Sequence, residues 1–220
     1  KIEKKNGITW VMLNRPEKRN AMSPELHTEM DDALRILETD PETRVVVIAG
    51  VGGYFSAGQD LKEFFRATEN DPPAQKAAIE TANRWRWERL YNYDKPTIAM
   101  IEGYCLAGAM EVALCCDIRY CSDDSTFGVV ETRFSNGILC MIAPWVMGQL
   151  SREMIYTGDR FGAAEAKEFG VVNRVFAKPD LEAETMKIAK RMSRVALDCL
   201  RWNKRAINQA YETMGIKSAL

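Results

Sequence analysis

Apolar residues follow two periods along this chain. Ile8-Thr9-Trp10-Val11-Met12-Leu13 is rich in β-branched and aromatic residues and predicts a strand. Val45-Val46-Val47-Ile48-Ala49 is apolar without a break, the pattern of a strand covered on both faces, and Gly50, Gly52 and Gly53 end it. Thr97-Ile98-Ala99-Met100-Ile101, opened by Pro96 and closed by Gly103, predicts another such strand. Ile118-Arg119-Tyr120-Cys121 and Val171-Val172-Asn173-Arg174-Val175 predict two more. Helical spacing sets in between them. Ser23 is placed as N-cap with Pro24 at the first helical position, and Leu26, Met30, Ala33, Leu34 and Leu37 follow on one stripe. Further helices are predicted from Gly108 and from Ala163 to Phe169. The stretch 66–93 is polar, passes a loop at Asp71-Pro72-Pro73, and turns helical with Trp85 and Trp87 facing inward. From Leu181 the chain reads as helix, with Met186, Ile188, Met192, Leu197, Leu200 and Ile207 apolar.

Strands alternating with helices predict parallel β-α-β units. The expected organisation is an α/β core over residues 1–175 followed by a C-terminal helical region over 176–220. Gly215 to Leu220 carry no stop signal, so that region reads as truncated.

Composition narrows the function. Of 220 residues, 46% are hydrophobic and 28% charged, with a net charge of −1, so a basic nucleic-acid footprint is not expected. No apolar run is long enough to span a membrane. The opening Lys1-Ile2-Glu3-Lys4-Lys5 does not read as a signal peptide, and a cytoplasmic location is expected. The cysteines, Cys105, Cys115, Cys116, Cys121, Cys140 and Cys199, lack C-x-x-C spacing and read as buried free thiols. With a single histidine, neither a metal site nor a Ser-His or Cys-His nucleophile is expected. His27 itself reads as a solvated helix residue, which leaves proton chemistry to carboxylates.

Two turns carry the candidate chemistry. Tyr54-Phe55-Ser56-Ala57-Gly58-Gln59-Asp60-Leu61-Lys62 follows one buried strand, and Gly103-Tyr104-Cys105-Leu106-Ala107-Gly108-Ala109-Met110-Glu111 joins another to a helix. Backbone N–H groups at a helix start lack intrahelical partners. Two such turns at the carboxyl ends of neighbouring parallel strands can aim donors at one oxygen. Glu111 falls in the first helical turn and Glu131 follows Phe127-Gly128-Val129-Val130, giving two carboxylates that could divide acid and base roles.

Leu13-Asn14-Arg15-Pro16, Asn20-Ala21-Met22, Ser56-Ala57-Gly58-Gln59-Asp60-Leu61, Lys95-Pro96-Thr97-Ile98-Ala99, Gly103 to Gly108, Cys116-Asp117-Ile118 and Tyr156-Thr157-Gly158-Asp159-Arg160 together resemble the enoyl-CoA hydratase/isomerase (crotonase) family, in order along nearly the whole chain. The resemblance implies a crotonase-like (ClpP/crotonase) α/β fold of repeated β-β-α units with two roughly perpendicular sheets and surrounding helices. It implies an acyl-CoA thioester as substrate, no metal or redox cofactor, and assembly as a homotrimer or dimer of trimers. Its oxyanion hole would be the backbone N–H groups of Gln59 and Gly108. Ala57, Asp60, Leu61 and Lys62 would line the substrate path, and the loop from Arg15 to Ala21 would approach the nucleotide. Two filled acidic positions, Glu111 and Glu131, imply an enoyl-CoA hydratase. Glu111 would orient a water and take its proton, and Glu131 would supply one to the α carbon.

Alternatives within the family are an isomerase, or a specialised hydratase or hydrolase for aromatic or alicyclic acyl groups. Gln59 to Arg66 and Trp85-Arg86-Trp87 also resemble the hydroxycinnamoyl-CoA hydratase-lyases, which place Tyr where this chain has Phe64 and a small residue where it has Glu111. An alternative of another class is a non-catalytic binding relative. The chain departs from the pattern at Gln59, where Ala or Met is usual, at Ala109-Met110, where many relatives have glycines, and over Arg133 to Met141, which lacks their Gly-rich turn.

Overall fold

The computed structural model describes residues 1–134 and 141–219. Strands β1 (Ile2–Lys5) and β2 (Ile8–Leu13) form an antiparallel hairpin. Its turn is Asn6-Gly7, both with positive φ, the backbone that two-residue hairpins need. Helix α1 (Pro24–Thr39) starts as the sequence predicts, with the Ser23 side chain accepting from the Leu26 N–H. Strand β3 (Val45–Gly50) leads to a π-helical turn at Leu61–Phe65, helix α2 (Pro72–Asn83) and a second π-helical stretch at Arg84–Leu90. Strands β4 (Thr97–Ile101) and β5 (Tyr104–Leu106) run into helix α3 (Gly108–Cys115). Strands β6 (Ile118–Ser122) and β7 (Thr126–Gly128) come next, then a 3-10 turn at Val130–Phe134. Helices α4 (Ala143–Met147) and α5 (Leu150–Thr157), strand β8 (Phe161–Gly162), helix α6 (Ala163–Glu168) and strand β9 (Arg174–Phe176) follow. Helices α7 (Leu181–Met192), α8 (Leu197–Thr213) and α9 (Ile216–Ala219) close the described chain.

The strands form two sheets. One has the order β1-β2-β3-β4-β6-β9, parallel except for β1, and the other has the order β5-β7-β8. The uninterrupted apolar run of β3 is central, and Val45, Val46, Val47 and Ile48 are wholly buried. Val46 and Ile48 face the layer containing α1 and α3, while Val45 and Val47 face Leu181 and Ala189 of α7. Helices therefore cover both faces of the larger sheet, as an all-apolar parallel strand requires.

One strand boundary differs from expectation. The predicted strand 171–175 begins only at Arg174. Gly170, at φ +76°, ends α6, and the Val172 N–H closes back onto the Ala166 carbonyl. Val171 and Val172 fill the core instead of entering the ladder. Their apolar character reports burial, and burial is not pairing.

Candidate active site

The carboxyl ends of β3 and β4 open into the two small-residue turns. Ser56 pairs in parallel with Cys105: its N–H donates to the Tyr104 carbonyl at 2.8 Å, and its carbonyl accepts from Leu106 at 3.2 Å. Buried Asn20 fastens the first turn by donating to the carbonyls of Val51 (2.9 Å) and Tyr54 (2.7 Å). Gly58 has φ +98°, and a Cβ there would sit 2.7 Å from the Ala107 Cβ and 2.9 Å from the Leu106 carbonyl oxygen. The two turns are in backbone contact, and only glycine permits it. Gly58→Ala is expected to destabilise the fold by about 1–3 kcal/mol in denaturant unfolding. An unchanged midpoint would show that the turns part without cost.

This contact orients two amides. Met22 donates to the Gly58 carbonyl at 2.8 Å and accepts from the Asp60 N–H at 2.9 Å. In a parallel bridge the residue between such partners, Gln59, turns its own N–H the other way. Ala107, the N-cap of α3, holds φ 54°, ψ −132°, a conformation that strains any residue with a side chain. It places the Gly108 N–H at the first position of the helix, where no intrahelical acceptor exists. Among the described residues, neither the Gln59 nor the Gly108 N–H has an acceptor.

A cavity of about 700 Å³ opens at this point, walled by Ala57, Gln59, Asp60, Leu61, Lys62 and Glu131. Every one of these was named from sequence. Glu131 sits on the 3-10 turn after β7 and is 8% exposed. Gly108 lies directly behind Ala107, which also borders the cavity. Glu111 is wholly buried one turn into α3. Its carboxylate accepts from the Trp87 indole and, at 3.3 Å, from the Ile142 N–H, and it is not among the described residues lining the cavity. Of the segment 133–141, Ser135 through Cys140 lie outside the described residues.

Charge is arranged around the cavity mouth. Lys18, Arg19, Lys62 and Arg160 border it. Asp60 is buried and caps the π-helical turn by accepting from Lys62 (3.0 Å) and Glu63 (3.1 Å), with Arg15 at 3.3 Å. Burial raises its pKa, but those two amides and the Arg15 charge outweigh burial and hold the carboxyl below its usual range. Arg15 also reaches Glu63 at 2.7 Å, which ties the charged loop to the first turn.

His27 is not solvated. It is wholly buried, with Nε2 2.7 Å from Gln59 Oε1 and Nδ1 accepting from the Trp85 indole at 2.8 Å. Burial pushes its pKa down to about 3, helped by the Arg86 charge and opposed by the Gln59 hydrogen bond. The misreading had a remedy in the sequence. His27, Met30, Leu34 and Leu37 share the apolar stripe of α1, and all four are buried. Trp85 is buried as the sequence predicts, and Arg86 beside it is buried too.

The thiols agree with the sequence reading in part. Cys105, Cys115, Cys116 and Cys121 are free and buried, with pKa values raised by that burial, whereas Cys199 is exposed and Cys140 lies outside the described residues. Among the described residues no cluster could hold a metal ion, and no helix is long and apolar enough to cross a membrane.

A family model described as enoyl-CoA hydratase/isomerase matches residues 3–219. The chain belongs to the enoyl-CoA hydratase/isomerase family. A hydroxycinnamoyl-CoA hydratase-lyase of Pseudomonas fluorescens is 40% identical over 197 residues, covering 87% of this chain and 71% of the relative. A mitochondrial enoyl-CoA hydratase of Pongo abelii is 30% identical over 213 residues, covering 95% of this chain and 71% of the relative. The crystal structure of an enoyl-CoA hydratase/isomerase from Xanthobacter autotrophicus Py2 superposes with a TM-score of 0.90 at 36% identity, covering 100% of this chain and 82% of the other. The crotonase-like α/β fold expected from the resemblance is the fold of this family, with a central sheet and a C-terminal helical region.

Proposed function

We propose that this family member is an enoyl-CoA hydratase, adding water across the 2,3 double bond of a 2-enoyl-CoA thioester. One observation supports the reading: the Gln59 and Gly108 amides have no acceptor among the described residues, and Gln59, Ala107 next to Gly108, and Glu131 all line one cavity. A thioester oxygen held by both amides gains hydrogen-bond energy as negative charge develops on it, which lowers the barrier to attack at the β carbon. Glu111 lies three residues after Gly108, on the same face of α3.

In the proposed cycle Glu111 orients the water and takes its proton as oxygen bonds to the β carbon. The alkene electrons move onto the thioester as an enolate. Glu131, protonated at the start of the cycle, then delivers its proton to the α carbon, the enolate collapses to the saturated 3-hydroxyacyl thioester, and the proton on Glu111 passes back to Glu131 to restore both groups. The net change is one water gained. Lys18, Arg19, Lys62 and Arg160 suit the phosphates of the CoA portion. Trp202 and Ile207 on α8 and Met214 just after it are exposed apolar side chains of the kind that a homotrimer or dimer of trimers would cover.

A second reading rests on the Trp87–Glu111 hydrogen bond and the position of Glu111 off the cavity. It leaves Glu131 as the proton carrier beside an aromatic acyl group, since the other lining carboxylate, Asp60, is engaged by the Lys62 and Glu63 amides and Arg15. The 40% identity to a hydroxycinnamoyl-CoA hydratase-lyase supports it.

The test is a panel of straight-chain and aromatic 2-enoyl-CoA thioesters offered to the purified protein. Loss of alkene absorbance with a product heavier by one water is the expected result. Thioesters that bind but are rearranged without water uptake would move the assignment to an isomerase.

A further inference from the structure

Gln59 contributes more than its backbone. Its side chain is one end of a buried relay whose polarity can be assigned without ambiguity. An indole nitrogen can only donate, so Trp85 Nε1–H makes His27 Nδ1 an acceptor. A neutral imidazole then carries its proton on Nε2, and that N–H must donate to Gln59. The atom that accepts is therefore the carboxamide oxygen, and the amide cannot be flipped. The strongly lowered pKa of His27 keeps the ring neutral, so the relay holds one polarity across ordinary pH.

The consequence falls on Gln59 Nε2. It is buried and has no acceptor among the described residues, although the residue is 8% exposed and walls the cavity. It lies 3.4 Å from the position a Cβ would take on Gly108, beside the second oxyanion amide. A buried primary amide with both donors unused is uncommon in a folded protein and calls for a partner that arrives from outside.

We propose that the Gln59 carboxamide is a third hydrogen-bond donor to the thioester oxygen, held in place by the Trp85–His27 relay. The ligand class is an acyl-CoA thioester in its enolate form, whose oxygen can accept more than two hydrogen bonds. This inference rests on the acyl-CoA reading of the site. Gln59 acts selectively on the charged state, because a donor strengthens with the charge of its acceptor.

The experiment uses acetoacetyl-CoA, whose bound enolate absorbs in the near ultraviolet, with butyryl-CoA as a probe that cannot form so stable an enolate. Gln59→Met and Gln59→Leu keep the backbone N–H and remove the carboxamide. Both are expected to lower the bound enolate-to-keto ratio about tenfold while changing butyryl-CoA affinity little. An unchanged ratio would overturn the third donor and leave the hydratase reading intact. An equal loss for both ligands would overturn the selectivity for charge. Failure of the unaltered protein to bind either thioester would overturn the acyl-CoA reading itself. A measurement on the unaltered protein covers variants that do not fold. The Gln59 side-chain amide protons should shift downfield when acetoacetyl-CoA is added, and a shift no larger than that caused by butyryl-CoA would contradict the proposal.

Discussion

Glu131→Gln is expected to lower turnover of a 2-enoyl-CoA by about 10²–10⁴-fold, with the thioester still bound. Gln is nearly the same size and keeps hydrogen-bonding capacity, so the loss isolates proton transfer from packing. Glu131 stands at the cavity wall, 8% exposed, on a 3-10 turn that follows directly from β7. Its position depends on the smaller sheet, where β5 and β7 pair through Cys105 and Phe127. Glu111→Gln separates the two readings of the site. If the carboxylates work as a pair, it lowers turnover comparably; if Glu131 works alone, the effect is small. Steady-state kinetics with KM and kcat resolved decide the matter. A Glu131→Gln enzyme with unchanged kcat would remove that residue from the mechanism.

The second large effect is on stability. His27 titrates near 3 in the folded protein, against about 6.5 for an exposed imidazole, because burial disfavours its charged form. Below pH 6.5 the unfolded chain takes up a proton that the folded chain refuses. The His27 contribution is therefore complete above pH 6.5 and is lost as pH falls from there toward 3. The slope is about 1.4 kcal/mol per pH unit. Urea unfolding at several values between pH 7 and pH 4 measures it. His27→Phe removes the titrating group, and the pH dependence of unfolding in that variant should be shallower by about one proton. The slope is the quantity compared, so a lower overall stability of the variant does not confuse the result. Equal slopes in both proteins would mean that His27 titrates alike folded and unfolded.

Much of this architecture is legible in the residues. The unbroken Val45 to Ala49 run specifies a central parallel strand, and Ser23-Pro24 specifies a helix start that the Ser23–Leu26 hydrogen bond realises. The Gly58–Gln59 and Ala107–Gly108 pairs read as turns because small residues allow two backbones to touch, and they do touch. What escaped has a common physical cause. The short strands β5, β7 and β8 contain three, three and two residues, too few for a period to declare itself. Val171 and Val172 are apolar because they are buried, and burial without pairing looks the same in one dimension. The Trp85–His27–Gln59 relay joins residues 32 and 58 positions apart, and no local pattern encodes such a meeting. Glu111 is legible as a buried first-turn carboxylate, but its bond to Trp87 comes from a π-helical stretch whose register the sequence does not announce.

If Gln59 and Gly108 present their N–H groups to one thioester oxygen, a crystal structure of the protein with butyryl-CoA bound will show that oxygen within about 3 Å of both backbone nitrogens, with the acyl chain running past Glu131. A thioester oxygen bonded elsewhere, with both amides facing away from it, would exclude the oxyanion hole.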